Sequence, residues 1–268
     1  MDNNYETHGV RMKKIALLFF ACFVAACTSS SQQTVPSMKG FKSYQIPANH
    51  TMMAVWVKDG MKPAQKVRIY IDGNAKTTGT FGKKRPKVEN PVAKELALKD
   101  PYPYIIYLGR TCYYIEQRVC KPITWEKGKY MPEIIDEIKL SIERLQKKYR
   151  ISEIELVGYD GGGAIALLLA TRIRQVPVKV ITIAGIVNTE HYALFHDEEL
   201  PDGSLNPASE SYLSARIPQV HYVGGKDQVM PMAFTKDFVK KLPQPVSAQI
   251  KAIPSATHDN WLNYKLDF

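Results

Sequence analysis

Short runs of β-branched and aromatic residues recur at 52–58, 66–72, 104–109, 153–159, 178–184, 218–223 and 247–253, each bounded by turn formers, and each predicts a strand. A weaker run, Lys42–Ile46, opens the series. Between the third and fourth of the clear runs, Ile134, Ile138, Ile142, Leu145 and Tyr149 fall at helical spacing behind Pro132, so the segment PEIIDEIKLSIERLQKKY predicts a helix. Further helices are expected at Gly161–Arg174 and Met232–Leu242. Strand and helix in alternation imply a mainly parallel sheet of about eight strands with helices on both faces, because parallel neighbours need a crossover to connect them. Reactive groups in such sheets gather beyond the carboxyl ends of the strands. No segment of roughly 20–50 residues repeats, which excludes a solenoid.

The first segment breaks this rhythm. Arg11, Lys13 and Lys14 precede an apolar run from Ile15 to Ala26 that is too short to cross a bilayer as a helix. Residues 1–26 therefore read as a signal peptide and are set outside the fold, with Met12 beginning a more typical leader than Met1. Val24-Ala25-Ala26-Cys27 resembles the lipobox of bacterial lipoproteins, which implies cleavage before Cys27 and acylation of its thiol by palmitate-like chains. A soluble exported protein cut nearby is the alternative. Thr28 after Cys27, in place of Asp, favours the outer membrane facing the periplasm within a bacterial cell envelope. Acyl chains contribute about 0.8 kcal/mol per buried methylene, enough for an anchor that sits on a membrane without spanning it. Residues 27–40, small and polar after the cysteine, are expected to be the lipidated Cys and a flexible tether, which leaves 41–268 as one domain.

The formal charge is +10, and the leader changes it by one unit only. Such a surface is drawn to anionic lipid or polyanions, yet no zinc-finger spacing and no RNA-recognition aromatic motif is present, so no nucleic-acid partner is expected. The densest basic run, Lys83-Lys84-Arg85-Pro86-Lys87, reads as a solvated loop. Outside the leader and Cys27, the cysteines reduce to Cys112 and Cys120, an even pair in an exported chain, for which a local disulfide is expected over free thiols. Two thiols with no histidine between them make a metal site improbable, and neither GxGxxG nor a Walker loop occurs, so no metal and no cofactor are expected. His221, inside an apolar strand, reads as a core residue, while Asp202, Asp259 and Asp197-Glu198-Glu199 read as surface charges.

The chemistry concentrates at three strand ends. Gly158-Tyr159-Asp160-Gly161-Gly162 closes one strand and opens a helix, the context in which a G-x-S-x-G elbow has meaning, except that Asp160 stands at the serine position. Gly224-Gly225-Lys226-Asp227 places a carboxylate beyond a later strand, and Ser255-Ala256-Thr257-His258 places an imidazole beyond the last. With GYDGGGA, GSLNP, IPQVHYVGGKD and the late His258, residues from about 43 to 268 resemble an α/β-hydrolase-fold protein of a bacterial lipoprotein branch. The resemblance implies an insertion before the acid-bearing strand, Asp227 as triad acid, His258 as general base and position 160 as nucleophile. It also implies an oxyanion hole made by the backbone N–H groups of Gly161 and Asn74, the latter in the loop Ile71-Asp72-Gly73-Asn74-Ala75.

Asp160 changes what that constellation can do. A carboxylate is already ionised, it favours the imidazolium of a nearby histidine, and its attack on an ester gives an anhydride from which it readily departs. On a saturated carbon the same group gives an alkyl ester that His258-activated water can hydrolyse, as in family members that open epoxides or displace halide. Tyr192 and Tyr212, in the insertion Ile186–Ile217, are candidate donors to the leaving group, with packing as their other use. Asp160 acting directly as a base is a further use. The leading expectation is a hydrolase of the envelope acting on a small or lipid-like substrate; the alternative is a catalytically inactive hydrolase-fold protein with a binding or structural role.

Overall fold

Eight strands form the central sheet of the computed structural model, which describes residues 1–2, 35–63, 66–80, 84–89, 91–244 and 247–268. The signal peptide and Cys27 expected near the start fall outside the described residues, as do the tether residues up to 34. In chain order the first half holds β1 (Phe41–Pro47), β2 (Met52–Lys58), β3 (Lys66–Ile71), β4 (Lys76–Thr78), β5 (Arg85–Lys87), α1 (Val92–Lys99), β6 (Ile105–Leu108), α2 (Pro122–Trp125) and α3 (Pro132–Tyr149). The second half holds β7 (Glu153–Tyr159), α4 (Gly161–Ala170), β8 (Val178–Ile183), α5 (Thr189–Phe195), α6 (Ser211–Ser214), β9 (Gln219–Gly224), α7 (Met232–Lys241) and β10 (Ala248–Ile253).

The order across the sheet is β1-β2-β6-β3-β7-β8-β9-β10, antiparallel at the first two pairings and parallel in the other pairings. β4 and β5 pair as a separate ribbon. All eight expected strands are present, within about two residues of their expected ends. Their central members are buried on both faces, which is why β6 reads as a continuous apolar run, while β3 and β7 turn apolar after the charged residues of their first halves.

Side chains cover the sheet in two layers. One layer packs Ile69, Leu156, Ile135, Ile142, Ile165 and Leu168 between the sheet, α3 and α4, and the other packs Trp56, Tyr107, Val157, Ile181 and Trp261 on the opposite face. Each fully buried side chain of this size contributes about 1.5–3 kcal/mol. α4 is buried along all ten residues, so its sequence carries no amphipathic stripe and its start cannot shift without moving the core. The helix expected to continue to Arg174 ends at Ala170, where the Thr171 hydroxyl donates back to the Leu168 carbonyl. The residues just before β1 lie on the domain: Met38 is buried, and the Pro36 carbonyl accepts from the Trp56 indole at 2.7 Å, so the later part of the expected 27–40 tether is held there.

Ions mark the amino ends of two central strands. Arg68 on β3 donates to Asp100 at 2.5 Å and to Glu155 on β7 at 2.9 Å, and Tyr70 donates to Asp100 at 2.6 Å. Burial works against the Glu155 carboxylate, but Lys66, Lys179 and Arg68 outweigh it and hold its pKa below the usual range. The expected disulfide joins Cys112 to Cys120 in the loop after β6. Among the described residues, no helix is long and apolar enough to cross a membrane.

Candidate active site

Asp160 occupies the turn between β7 and α4 with φ 48° and ψ −122°, a conformation that costs a non-glycine residue about 1–3 kcal/mol. The surrounding backbone holds it there. Its N–H donates to the Ile183 carbonyl at 3.1 Å, and its own carbonyl accepts from Gly163 and Ile186, each at 2.9 Å. The turn closes only with glycine beside it, since a Cβ on Gly158 would lie 2.2 Å from the Gly162 carbonyl oxygen.

The Asp160 carboxylate points into the carboxyl end of the sheet with its two oxygens in different settings. Oδ2 accepts from the Asn74 backbone N–H at 2.8 Å. Oδ1 is buried without a hydrogen bond and faces His258 Nε2 at 3.8 Å. His258 Nδ1 in turn lies 3.0 and 3.2 Å from the two oxygens of Asp227, whose Oδ1 also accepts from Val229 and Met230 N–H groups. The residues expected at the site therefore converge: Asp160, His258, Asp227 and Asn74 form one connected set, and Gly161 begins the helix beside Asp160. The Asp227 side chain is fully buried against His258 Nδ1.

Burial disfavours the His258 imidazolium, but the hydrogen bond to Asp227 and the charges of Asp160, Asp227 and Asp259 outweigh it, and the pKa rises above its usual value. Asp259, expected as a plain surface charge, accepts from the Tyr159 hydroxyl at 3.1 Å and contributes to that field. The Tyr159 ring lies against His258 with centroids 5.3 Å apart.

Several supporting residues were not singled out in the sequence. Arg110, buried just after β6, donates to the Gly73 carbonyl at 2.9 Å and to the Asn74 side-chain oxygen at 3.0 Å, pinning the loop that presents the Asn74 N–H. Tyr130 donates to the same Asn74 oxygen at 3.3 Å, and the Tyr113 hydroxyl accepts from Ala75 N–H at 3.0 Å. Asp72 accepts from Tyr107 and from Ala93 and Lys94 N–H groups at the start of α1; its burial raises the pKa to about 6 against those bonds. The usable signal was the apolar pair spacing Val92, Ala93, Leu96, Ala97, which marks α1 and with it a carboxylate to cap its start.

Tyr192 is buried in the insertion, and burial together with the charges of Asp160, Glu198 and Asp227 keeps its phenol neutral. Tyr212, the other candidate donor, is 74% exposed on α6. Among the described residues, no group of three or more His, Cys, Asp or Glu side chains is arranged to hold a metal ion.

No protein-family model and no curated protein matches the sequence. Solved structures do match the fold. A structure titled an alpha-beta serine hydrolase homologue from Coxiella burnetii aligns over 85% of this chain and 93% of that one, at 16% identity and a TM-score of 0.56. An esterase from Pyrococcus furiosus aligns over 86% of this chain and 88% of that one, at 12% identity and a TM-score of 0.60. An acylaminoacyl peptidase from Pyrococcus horikoshii aligns over 84% of this chain but only 39% of its own, at 16% identity and a TM-score of 0.61.

Proposed function

We propose that this chain, which carries the α/β-hydrolase fold, is a hydrolase that works through an alkyl ester of Asp160. The observation that supports the reading is the split environment of the carboxylate. Oδ2 rests on the Asn74 N–H, where a tetrahedral oxyanion is to be held, and Oδ1 is buried, without a hydrogen bond and turned toward His258. That is the arrangement a carboxylate nucleophile needs, because the oxygen that does not attack becomes the ester carbonyl.

In the first step Oδ1 attacks a saturated carbon; a bond from carbon to Oδ1 forms as the bond to the leaving group breaks, and the leaving group takes the electron pair. A halide departs as the anion, and an epoxide oxygen departs as an alkoxide that gains a proton from solvent. The ester is neutral, so the Asp160 contribution that raised the His258 pKa is gone, and more of the imidazole is in the unprotonated form that can act as a base. Water then gives a proton to Nε2 and attacks Cγ of Asp160. The oxyanion forms on Oδ2 against the N–H groups of Asn74 and Gly161. Its collapse breaks the bond from Cγ to Oδ1, and the departing alkoxide takes the proton back from the imidazolium. One water oxygen stays in Asp160.

Serine-type ester cleavage fits this site less well, because Asp160 Oδ2 already fills the place beside Asn74 N–H that a substrate carbonyl would need. The test is a single turnover of 1,2-epoxyhexane and of 1-bromohexane in oxygen-18 water with enzyme in excess. The expected result is label in the peptide containing Asp160, unlabelled alcohol oxygen at the reacting carbon, and a stable alkyl adduct in His258→Ala. Label entering the product directly, with no adduct in the variant, would assign Asp160 to base catalysis instead. Failure of the wild type to consume any alkyl substrate or ester would favour the silent, binding role. The envelope address, with Cys27 as lipid anchor, is proposed on the leader sequence alone.

A further inference from the structure

A cavity of about 620 Å³ opens beside the Cys112–Cys120 bridge, between that loop, β5 and α2. Its walls are aromatic and stiff. Tyr113 and Trp125 are buried, Tyr114 is half-buried, and Pro86 and Pro122 join the disulfide in fixing the backbone around them. Trp125 is held further by its indole N–H, which donates to the Thr77 hydroxyl on β4 at 3.0 Å.

The rim has the opposite character. Lys84, Arg85, Arg118 and Lys121 line it against a single acidic residue, Glu116, which pairs with Arg85. The exposed side chains of Lys84, Arg118 and Lys121 form no ion pair among the described residues. Between and beside them, Val119 and Ile123 are each 53% exposed, so cations and apolar groups alternate along one rigid loop. The sequence run Lys84-Arg85-Pro86, first read as part of a solvated loop, thus contributes to a concave surface.

We propose that this cavity is a binding site for an anionic amphiphile, its charged head held by Lys84, Arg118 and Lys121 and its apolar chain laid along Tyr113, Tyr114 and Trp125. The volume lies within the usual range of ligand pockets, roughly 300–1,000 Å³. Polar anions alone would leave the aromatic walls unused, and a neutral apolar molecule would leave the cations unused. The proposal does not rest on any role of Asp160, since it needs only binding.

Calorimetric titration of the full chain tests it with four probes: decyl phosphate below its micelle concentration, decanol, inorganic phosphate, and vesicles of phosphatidylglycerol. Decyl phosphate is expected to bind at least about tenfold more tightly than decanol or inorganic phosphate, and to weaken as salt rises, because exposed charges are screened. Arg118→Ala/Lys121→Ala is expected to lose about tenfold toward decyl phosphate and nothing toward decanol. Lys84→Ala, on the opposite rim, should move in the same direction. Equal binding of decyl phosphate and decanol overturns the proposal, as does unchanged binding in the variants at unchanged melting temperature. Binding seen with the vesicles and not with monomeric decyl phosphate would assign the charge to a bilayer surface and overturn the cavity site.

Discussion

Gly73→Ala probes the geometry of the nucleophile without replacing any reacting group. A Cβ at residue 73 would stand 2.6 Å from Asp160 Oδ2, 2.9 Å from its Cβ and 3.2 Å from its Cγ, where ordinary contacts begin near 3.4 Å. The carboxylate must therefore yield by about 0.8 Å at Oδ2, which stretches its 2.8 Å bond to the Asn74 N–H beyond hydrogen-bonding range. Asp160 cannot follow by rotating its backbone, because three hydrogen bonds hold its N–H and carbonyl. A misplacement near 1 Å costs on the order of 10²-fold in rate, equivalent to about 2.7 kcal/mol of barrier. Overpacking also costs roughly 1–3 kcal/mol of stability, a fall of about 2–4 °C in Tm for each kcal/mol in a chain of this size. The assay is the rate at which a His258→Ala background accumulates the alkyl adduct, compared with and without Gly73→Ala, at a temperature where both are folded. An unchanged adduct rate would refute the idea that Asp160 acts from its contact with Asn74.

Asp160→Asn removes one of the charges that raise His258, so the imidazole should titrate at lower pH in the variant, as followed by proton NMR; an upward or absent shift would show that Asp160 and His258 are not coupled. A raised histidine pKa stabilises the fold fully below the unfolded value, near 6.5, and that stabilisation is lost as pH rises through the folded value, so the stability of Asp160→Asn should depend less on pH across that window. Removing the Cys112–Cys120 bridge by paired serine substitutions should cost about 2–3 kcal/mol in urea titration for so short a loop. Arg110→Lys should slow adduct formation several-fold with little change in Tm, because a lysine cannot hold both the Gly73 carbonyl and the Asn74 side chain in Arg110's planar geometry.

The strands were legible because central ones such as Ile154–Val157 combine β-branched residues with burial on both faces, a pattern few other elements produce. Asp160 was legible because it follows β7 directly in a glycine-rich turn, and Asp227 and His258 because they lie three and five residues beyond the ends of β9 and β10. Their separation of oxygen roles was not, since Oδ1 and Oδ2 differ only through Asn74 and His258, which arrive from distant parts of the chain. Arg110 was hidden for the same reason: its partners are a backbone carbonyl and an amide, and neither leaves a charge pattern in the sequence. Asp259 is exposed, as expected of a surface acid, but its bond from the Tyr159 hydroxyl, across 100 residues of chain, and its effect on His258 are not revealed by residue type alone.

β3 and β7 each carry an ionic anchor at one end and a piece of the candidate site at the other. Along β7, Glu155 and Asp160 are five residues apart, about 16 Å of extended chain, beyond the roughly 7–10 Å over which substitutions usually couple. A lesion at Arg68 or Glu155 should therefore alter how much of the protein survives in the cell, and one beside Asp160 should alter what each surviving molecule does. Selection can then adjust abundance and chemistry along the same two strands as independent quantities.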